Sequence, residues 1–493
     1  MKKSVLILLT LILSLPVFAA KETEKKSAPV KEHLQNHFKL YGFIRNFFVY
    51  DSRDSKAGTG DLFYYLPLDN KWNTADVNDP AREDLNASPN FRFLALTSRV
   101  GFDVSGYYIN NLHFGAKIEG DFYSGLAAAK TATGLSGNTS VSGTAQARLR
   151  QAYVTLTWKD LPMRNDKTAQ VGLKIGQAWH PMAADMPHVF SLEAGAPFGP
   201  FSRTPQVTMD ANLGSNWVIS ASALWQMQYQ SNGPIGGSAL YMKYGKTPEM
   251  YAGVTYKSKG FLMRAGVDVL SIKPREFSAK SVPAPTEKDP DATKLVSDKR
   301  VSDRKTSVLG YLYAQYSYKT FSVKAKTTYG SAGEHMGLMS GYVNMGPISV
   351  GGLPASADTW EYAPLHSSSS WLSLAYGKKW QGVLFLGYMK NLGLAGSDVD
   401  TTPGPGADYI PVSDVYFNKN GFANMNQMFR VSPEVIYTFG KFVVGLEWQY
   451  TAVQYGKYHK EEGVNCLNRK ALATEGLHWI GNHRIQSMVR FNF

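Results

Sequence analysis

The sequence predicts an all-β fold, a transmembrane antiparallel up-and-down β-barrel of about 16 strands. Two observations support this prediction. Segments of roughly ten residues alternate apolar and polar side chains with a period of two, as strands do when one face meets lipid and the other meets water. The connections between these segments alternate in length, so that short turns and long loops would lie at opposite ends of a barrel.

The N-terminus predicts export through a secretory signal peptide, residues 1–20. Lys2 and Lys3 precede an apolar run over 5–17, and Ala19 and Ala20 supply small residues for cleavage. That run is too short for a stable transmembrane helix. Residues 21–36 are rich in Lys and Glu and lack an apolar face, which predicts a charged periplasmic leader, with the barrel occupying 37–493.

The clearest strand lies between Leu112 and Phe122, where every second residue is apolar and the intervening positions hold His113, Lys117 and Glu119. No amphipathic helix has this period. The other clear segments are 94–104, 217–228, 261–269, 321–326, 429–439 and 442–451. Weaker ones are 37–51, 146–158, 170–177, 205–213, 250–257, 308–318, 371–377, 381–390 and the segment from Ile480 to the C-terminus.

Connection length separates the two ends of the predicted barrel. Short turns are expected at 106–111, 159–167, 214–216, 257–260, 318–320, 377–380 and 440–441, and long loops at 52–90, 124–144, 178–204, 231–247, 273–304, 331–370, 391–426 and 456–479. Outer-membrane barrels have short periplasmic turns and long extracellular loops, and an even strand number places both termini in the periplasm. The sequence therefore predicts a bacterial outer-membrane location.

The last residues resemble the C-terminal signal by which the barrel-assembly machinery recognises outer-membrane proteins. Val489, Phe491 and Phe493 share one face of the final strand, and Arg490 and Asn492 share the other. This pattern predicts Phe491 and Phe493 as the assembly signal. The alternative is an ordinary amphipathic strand of a soluble protein.

Charge and composition exclude several functions. A net charge of +13 favours anionic partners, and because export makes nucleic acid unsuitable, small anionic solutes, outer-membrane lipid and lipopolysaccharide are the expected partners. The single cysteine, Cys466, forms no internal disulfide. No nucleophile elbow, phosphate loop or metal-binding histidine pair is present. The sequence therefore predicts no enzymatic activity, no cofactor and no metal site.

Polar-face side chains are expected to form the wall of a water-filled channel, because about 16 strands enclose more space than side chains fill. Eight cations and six carboxylates can be placed on the polar face by the alternation alone, and this slight excess of positive charge favours anions. The alternative is that they neutralise each other, as Arg264 with Asp268 and Arg430 with Glu434. The predicted pore-lining residues are Arg99, Lys117, Glu119, Asp121, Arg148, Arg150, Arg264, Asp268, Lys324, Lys326, Arg430 and Arg484.

Arg148 and Arg150 occupy the same alternate positions of their strand as apolar residues such as Ala152 and Val154. The alternation therefore leaves open which face of the strand the two arginines lie on. They would lie either at the outer rim above the lipid or, through a β-bulge that changes the register, inside the lumen. The lumen is favoured, because a charge facing lipid costs about 2–4 kcal/mol at mid-bilayer.

The third long loop, near 177–204, is apolar for an external connection and should bury itself against another part of the protein. It contains three phenylalanines together with several prolines and glycines. We predict that it folds into the barrel and narrows it. The predicted constriction residues are Trp179, His180, Asp185, His188, Glu193 and Arg203. Packing against the barrel rim or a neighbouring subunit is the alternative.

Three segments resemble the trimeric DcaP-like porins and, more distantly, the phosphate-selective porins. They are Leu40-Tyr41-Gly42-Phe43-Ile44, Arg148-Leu149-Arg150-Gln151-Ala152-Tyr153, and the run from Lys174 to Met182. The resemblance implies a 16-stranded homotrimer that passes small anions such as dicarboxylates or phosphate, with Arg148 and Arg150 lining the pore. The leader lacks the heptads of a DcaP-type coiled coil, and no dense lysine ladder is present, so the solute stays open.

The expected function is passive diffusion of small hydrophilic solutes, preferentially anions. Two other classes of protein remain as alternatives. One is a closed surface barrel whose external loops bind host or glycan ligands. The other is an outer-membrane hydrolase, for which the sequence offers no nucleophile cluster.

Overall fold

Sixteen long antiparallel strands form one closed sheet in the computed structural model, which confirms the predicted barrel. The structure describes residues 37–58, 64–95, 97–123, 145–162, 168–286, 289–331, 333–349, 353–396 and 408–493. The predicted signal peptide and leader, 1–36, and the whole predicted loop 124–144 lie outside these ranges. No helix among the described residues is long and apolar enough to cross a membrane.

The barrel strands are numbered here in chain order. They are β1 (Phe38–Asp51), β2 (Arg99–Ile109), β3 (Leu112–Tyr123), β4 (Gln146–Pro162), β5 (Thr168–Trp179), β6 (Arg203–Leu213), β7 (Trp217–Leu224), β8 (Glu249–Ser258), β9 (Phe261–Ile272), β10 (Lys305–Tyr318), β11 (Phe321–Gly330), β12 (Trp360–Gly377), β13 (Trp380–Gly393), β14 (Met425–Phe439), β15 (Phe442–Lys457) and β16 (Glu475–Asn492).

The barrel closes where the first strand pairs with the last. The β1–β16 register runs from Phe43 opposite Asn492 to Asp51 opposite Arg484. The C-terminal Phe493 continues this ladder, since its backbone N–H donates to the Gly42 carbonyl at 3.1 Å. Closure leaves no strand edge exposed, as a membrane-spanning sheet requires.

The two faces of the strands differ as the alternation predicts. On β15, Leu446 and Trp448 are 58% and 42% exposed, whereas Glu447 and Gln449 between them are 1% and 3% exposed. The exposed face forms an apolar belt around the barrel, and the polar face points inward. Satisfying every backbone group within a closed sheet while presenting apolar side chains outward is the way a β-protein spans lipid.

The strand predicted over 94–104 is interrupted in the structure. Asn90–Leu94 pairs with the C-terminal part of β1, and β2 pairs with the N-terminal part of β1. Thr97, between the two pieces, has a φ of 76°, which lies in the left-handed region and stops the extended chain.

The long loops at the other rim contain structure of their own. Phe277–Pro283 and Thr293–Arg300 form a two-stranded hairpin in the loop predicted simply as solvated, 273–304. A short helix, α1 (Leu240–Gly245), precedes β8. The strand β12 is longer than the predicted segment 371–377, because the serines at 367–370 pair along β11. The fold keeps short turns at one end and long loops at the other.

Candidate functional site

Residues 180–202, called here the inserted loop, cross the interior of the barrel between β5 and β6. The Asp185 carboxylate lies 2.7 Å from the Arg264 guanidinium of β9. Further along, the Phe190 backbone N–H donates to Glu434 of β14 at 3.3 Å, and Glu193 forms an ion pair with Arg484 of β16. A connection between neighbouring strands therefore reaches walls on the far side of the lumen.

Three cations predicted as pore wall hold the backbone of the inserted loop instead. Lys326 donates to the carbonyls of Met182 at 2.7 Å and Asp185 at 2.6 Å. Arg430 donates to the Ala196 carbonyl at 3.0 Å, and Lys324 to that of Met186 at 3.2 Å. Lys326 and Arg430 are only 3% and 2% exposed, so the prediction that they face open water is wrong. Charged donors satisfy the carbonyls of a loop that has no ladder of its own.

Glycines on the far wall make room for aromatic side chains of the inserted loop. A Cβ on Gly387 of β13 would lie 2.5 Å from the Phe198 ring, and one on Gly445 of β15 would lie 2.8 Å from the Phe190 ring. Both phenylalanines are buried. The inserted loop thus packs into the wall it reaches and closes this side of the lumen.

An open cleft remains on the opposite side, along β4–β9. One cavity of about 430 Å³ is bounded by the inserted loop and by Lys174, Lys257 and Arg264. A second, of about 300 Å³, shares Lys257 with it and extends to the turn before Trp217, at the predicted periplasmic end. The two cavities also share Gln170, Asn212 and Val218, and together they are called the polar cleft.

The cleft carries an excess of positive charge. Arg264 is paired with Asp185, but Lys174 and Lys257 have no carboxylate partner among the described residues. Asp210, also on the wall, accepts a hydrogen bond from Ser220 at 2.5 Å. Unpaired ammonium groups in a narrow passage attract anions and repel cations. Lys174 and Lys257 were not among the predicted site residues, although both occupy the polar alternate positions of their strands.

Arg148 and Arg150 face the lumen, and a β-bulge brings them there. In the β3–β4 pairing, Glu119 lies opposite Gln151 and Gly120 lies opposite Leu149, so Arg150 is the extra residue of a bulge. Because of this extra residue, the alternation of inward and outward side chains in β4 is reversed beyond Arg150. Arg150 lies 2.8 Å from Glu119 and 2.7 Å from Asp121, and Arg148 lies 2.8 Å from Asp121. These arginines are therefore neutralised by carboxylates, so they are weak candidates for attracting solute anions.

A second basic group lies on the wall formed by β1, β2 and β16. The guanidinium carbons of Arg45, Arg99 and Arg490 lie 4.9, 5.0 and 5.8 Å from the centre of the Phe43 ring. Aromatic faces attract such cations. Beside them Lys117 is paired with Asp103 at 2.7 Å. Arg45 was not predicted, and only its polar parity in β1 could have indicated it.

Three of the predicted constriction residues, Trp179, His180 and Arg203, lie at the base of the inserted loop, whereas His188 lies farther along it, beside Ser322 and Ser373. Trp179 borders the cleft, and the Arg203 guanidinium carbon lies 4.7 Å from the centre of its ring. His180, predicted in the constriction, and Asp268, predicted to line the pore, are completely buried beside Glu249 and do not line a passage.

His188 is expected to make folding stability depend on pH. Burial and the nearby Lys324 ammonium lower the pKa of its imidazole to about 4. The unfolded chain takes up this proton near pH 6.5, so the contribution of the neutral ring is complete above that pH and is lost as the pH falls toward about 4. We expect the urea midpoint to fall between about pH 7.5 and about pH 5, and less steeply in His188→Gln. Equal slopes in the two proteins would contradict this.

Comparison with known proteins gives fold likeness alone. No protein-family model matches the chain, and no curated protein matches it. The outer membrane channel DcaP of Acinetobacter baumannii superposes with a TM-score of 0.55 at 15% identity, over 92% of this chain and 97% of that one. An anion-selective porin from Comamonas acidovorans gives a TM-score of 0.47 at 8% identity, over 92% and 99%. OmpF of Salmonella typhi, in complex with daunomycin, gives 0.46 at 12%, over 93% and 98%.

The protein belongs to the class of outer-membrane β-barrels. The closed sixteen-stranded sheet and its apolar outer belt define that class and a bacterial outer-membrane location. Of the three likenesses, the one to DcaP exceeds a TM-score of 0.5, and at 15% identity it supports the barrel fold without a shared solute.

Proposed function

We propose that the protein is a passive channel for small hydrophilic solutes and that it prefers anions. The observation that supports this is the polar cleft between the inserted loop and β4–β9, with Lys174 and Lys257 on its wall. Both lysines line this cleft, and their ammonium groups lack carboxylate partners among the described residues. An anion would exchange part of its hydration for these donors, while a cation would meet like charge.

Diffusion down a gradient needs no catalytic step, so the proposal includes no enzymatic activity. Small dicarboxylates and phosphate are the solute classes we favour, since both are compact anions that the ammonium groups of the cleft would attract. We also propose a homotrimer in the outer membrane, bordered by lipopolysaccharide and inserted by the barrel-assembly machinery through Phe491 and Phe493.

Conductance in planar bilayers tests the channel. Purified protein should insert in discrete current steps, and a salt gradient should give a reversal potential of the sign expected for anion preference. Absence of conductance from folded, heat-modifiable protein would overturn the proposal and favour a closed barrel that binds ligands through its external loops. A cation preference would overturn the selectivity alone.

Charge reversal on the cleft wall tests the role of the two lysines. Lys174→Glu together with Lys257→Glu should lower the anion-to-cation permeability ratio by about twofold or more, because the wall changes from attracting to repelling anions. The matched control is Lys280→Glu with Lys294→Glu, which changes the net charge equally on the exposed external hairpin. An equal shift in both double variants would show that the cleft is not the selective passage.

A further inference from the structure

Four residues with metal-ligating side chains meet beneath the external rim, next to the inserted loop. They are His180 at the start of that loop, Glu249 in β8, Asp268 in β9 and His335 in the short 3-10 helix between β11 and β12. One nitrogen or oxygen atom from each lies within 4.8 Å of those of the other three. All four residues are 0% exposed.

Buried carboxylate oxygens in this cluster lack hydrogen-bond donors. Neither oxygen of Asp268 accepts a hydrogen bond from a described residue, and the same is true of Glu249 Oε2. The other Glu249 oxygen lies 2.6 Å from His335 Nε2 and 3.2 Å from His180 Nε2. Asp268 Oδ1 lies 3.7 Å from His180 Nε2, beyond hydrogen-bond distance. Unpartnered buried oxygens are costly unless another group satisfies them.

The cluster holds two carboxylates and two imidazoles together away from water. When both carboxylates are ionised and both imidazoles are neutral, it carries two negative charges. The buried ammonium group of Lys305, in β10, is paired with Glu334 at 3.0 Å. One divalent ion would neutralise Glu249 and Asp268 and accept the free oxygens as ligands.

We propose that His180, Glu249, Asp268 and His335 bind one divalent transition-metal ion, with Zn²⁺ as the best fit. Two imidazole nitrogens and two carboxylate oxygens form a four-coordinate set that Zn²⁺ accepts at bond lengths of about 2.0–2.2 Å. Tetrahedral ligands at that distance lie about 3.4 Å apart. Binding would therefore lengthen the 2.6 Å contact between Glu249 and His335 and shorten any separation that approaches 4.8 Å.

Binding would change one contact of the inserted loop. His180 Nδ1 now lies 3.2 Å from the Met182 backbone N–H. A metal at Nε2 places the imidazole proton on Nδ1, so this contact opens. The ion then joins the inserted loop to β8, β9 and the segment before β12, and fixes the loop at its first residue. This site stands independently of the solute that the channel passes.

Titration of metal-stripped, folded protein with Zn²⁺ alone tests the site. Calorimetry should show one saturable equivalent per chain, and Co²⁺ should produce the intense visible absorption of a four-coordinate ion. Asp268→Asn and His335→Gln should each weaken Zn²⁺ binding by about 100-fold or more, since each removes a ligand. The control is His459→Gln, which alters a histidine of an external hairpin and should leave the affinity unchanged.

Heat-modifiable mobility on gels verifies that each variant is folded. Failure of folded wild-type protein to bind Zn²⁺ saturably would overturn the proposal, as would unchanged affinity in folded Asp268→Asn and His335→Gln. If both variants fail to fold, the wild-type Co²⁺ spectrum decides. The weak absorption of a six-coordinate aquo ion, instead of the four-coordinate bands, would then overturn the site.

Discussion

Replacing residues 181–201 with Asn-Gly should raise the single-channel conductance by about twofold or more and weaken the ion preference. A sixteen-stranded barrel encloses an aqueous channel unless something fills it, and here the inserted loop fills the side facing β11–β16. The ends of the excised segment are already adjacent, since the His180 backbone N–H donates to the Ser202 carbonyl at 3.1 Å. An Asn-Gly dipeptide closes such a gap as a tight hairpin turn.

Single-channel recording of the shortened protein measures this effect. The matched control replaces 284–292, the tip of the external hairpin, with Asn-Gly, which shortens an exposed connection without touching the lumen. We expect its conductance to stay at the wild-type value. Unchanged conductance in the protein lacking 181–201 would mean that the inserted loop does not limit the passage.

Arg150→Met should destabilise the barrel by about 3–5 kcal/mol, because it leaves two buried carboxylates without their shared partner. The side chains of Glu119 and Asp121 are 5% and 2% exposed, and Arg150 contacts both. The control is Lys117→Met on the neighbouring strand. Its partner Asp103 is 35% exposed, so water replaces the lost ammonium group and the cost is about 0–1 kcal/mol.

Urea unfolding in lipid vesicles measures both free energies. Combining Arg150→Met with Glu119→Gln and Asp121→Asn should recover part of the loss, because neutral amides no longer require a cation. We expect the buried ion pairs of Arg150 with Glu119 and Asp121 to stabilise this part of the barrel more than the partly exposed pair of Lys117 with Asp103 does. Equal destabilisation by Arg150→Met and Lys117→Met would contradict this expectation.

Strand parity and connection length were sufficient to predict the barrel. The alternation of apolar and polar residues, as at Leu446 and Glu447, can be seen within a single strand. In a closed barrel, it determines directly which side chains face lipid and which face the lumen. The parity conflict at Arg148 and Arg150 pointed to the bulge that the structure contains. Such features are predictable because the cost of a charge in lipid is independent of the rest of the fold.

The content of the lumen was less predictable, because it depends on which distant strands the inserted loop meets. Lys326 and Arg430 have the polar parity of pore residues, yet backbone carbonyls of the inserted loop cover both. Likewise, Glu249, Asp268 and His335 come from separate strands and a loop, with no local spacing that would suggest a shared site. Only the closed barrel brings them together.

The pairing of β1 with β16 means that the barrel can close only after the last strand has formed. Asp51 meets Arg484 only after the whole chain is available, so any earlier intermediate exposes two unpaired strand edges that can join other chains. One anchor of the inserted loop depends on the same event, because Glu193 binds Arg484 on the last strand. We therefore expect a chain that lacks its final strand to be aggregation-prone and to lack the Arg484 anchor of its inserted loop.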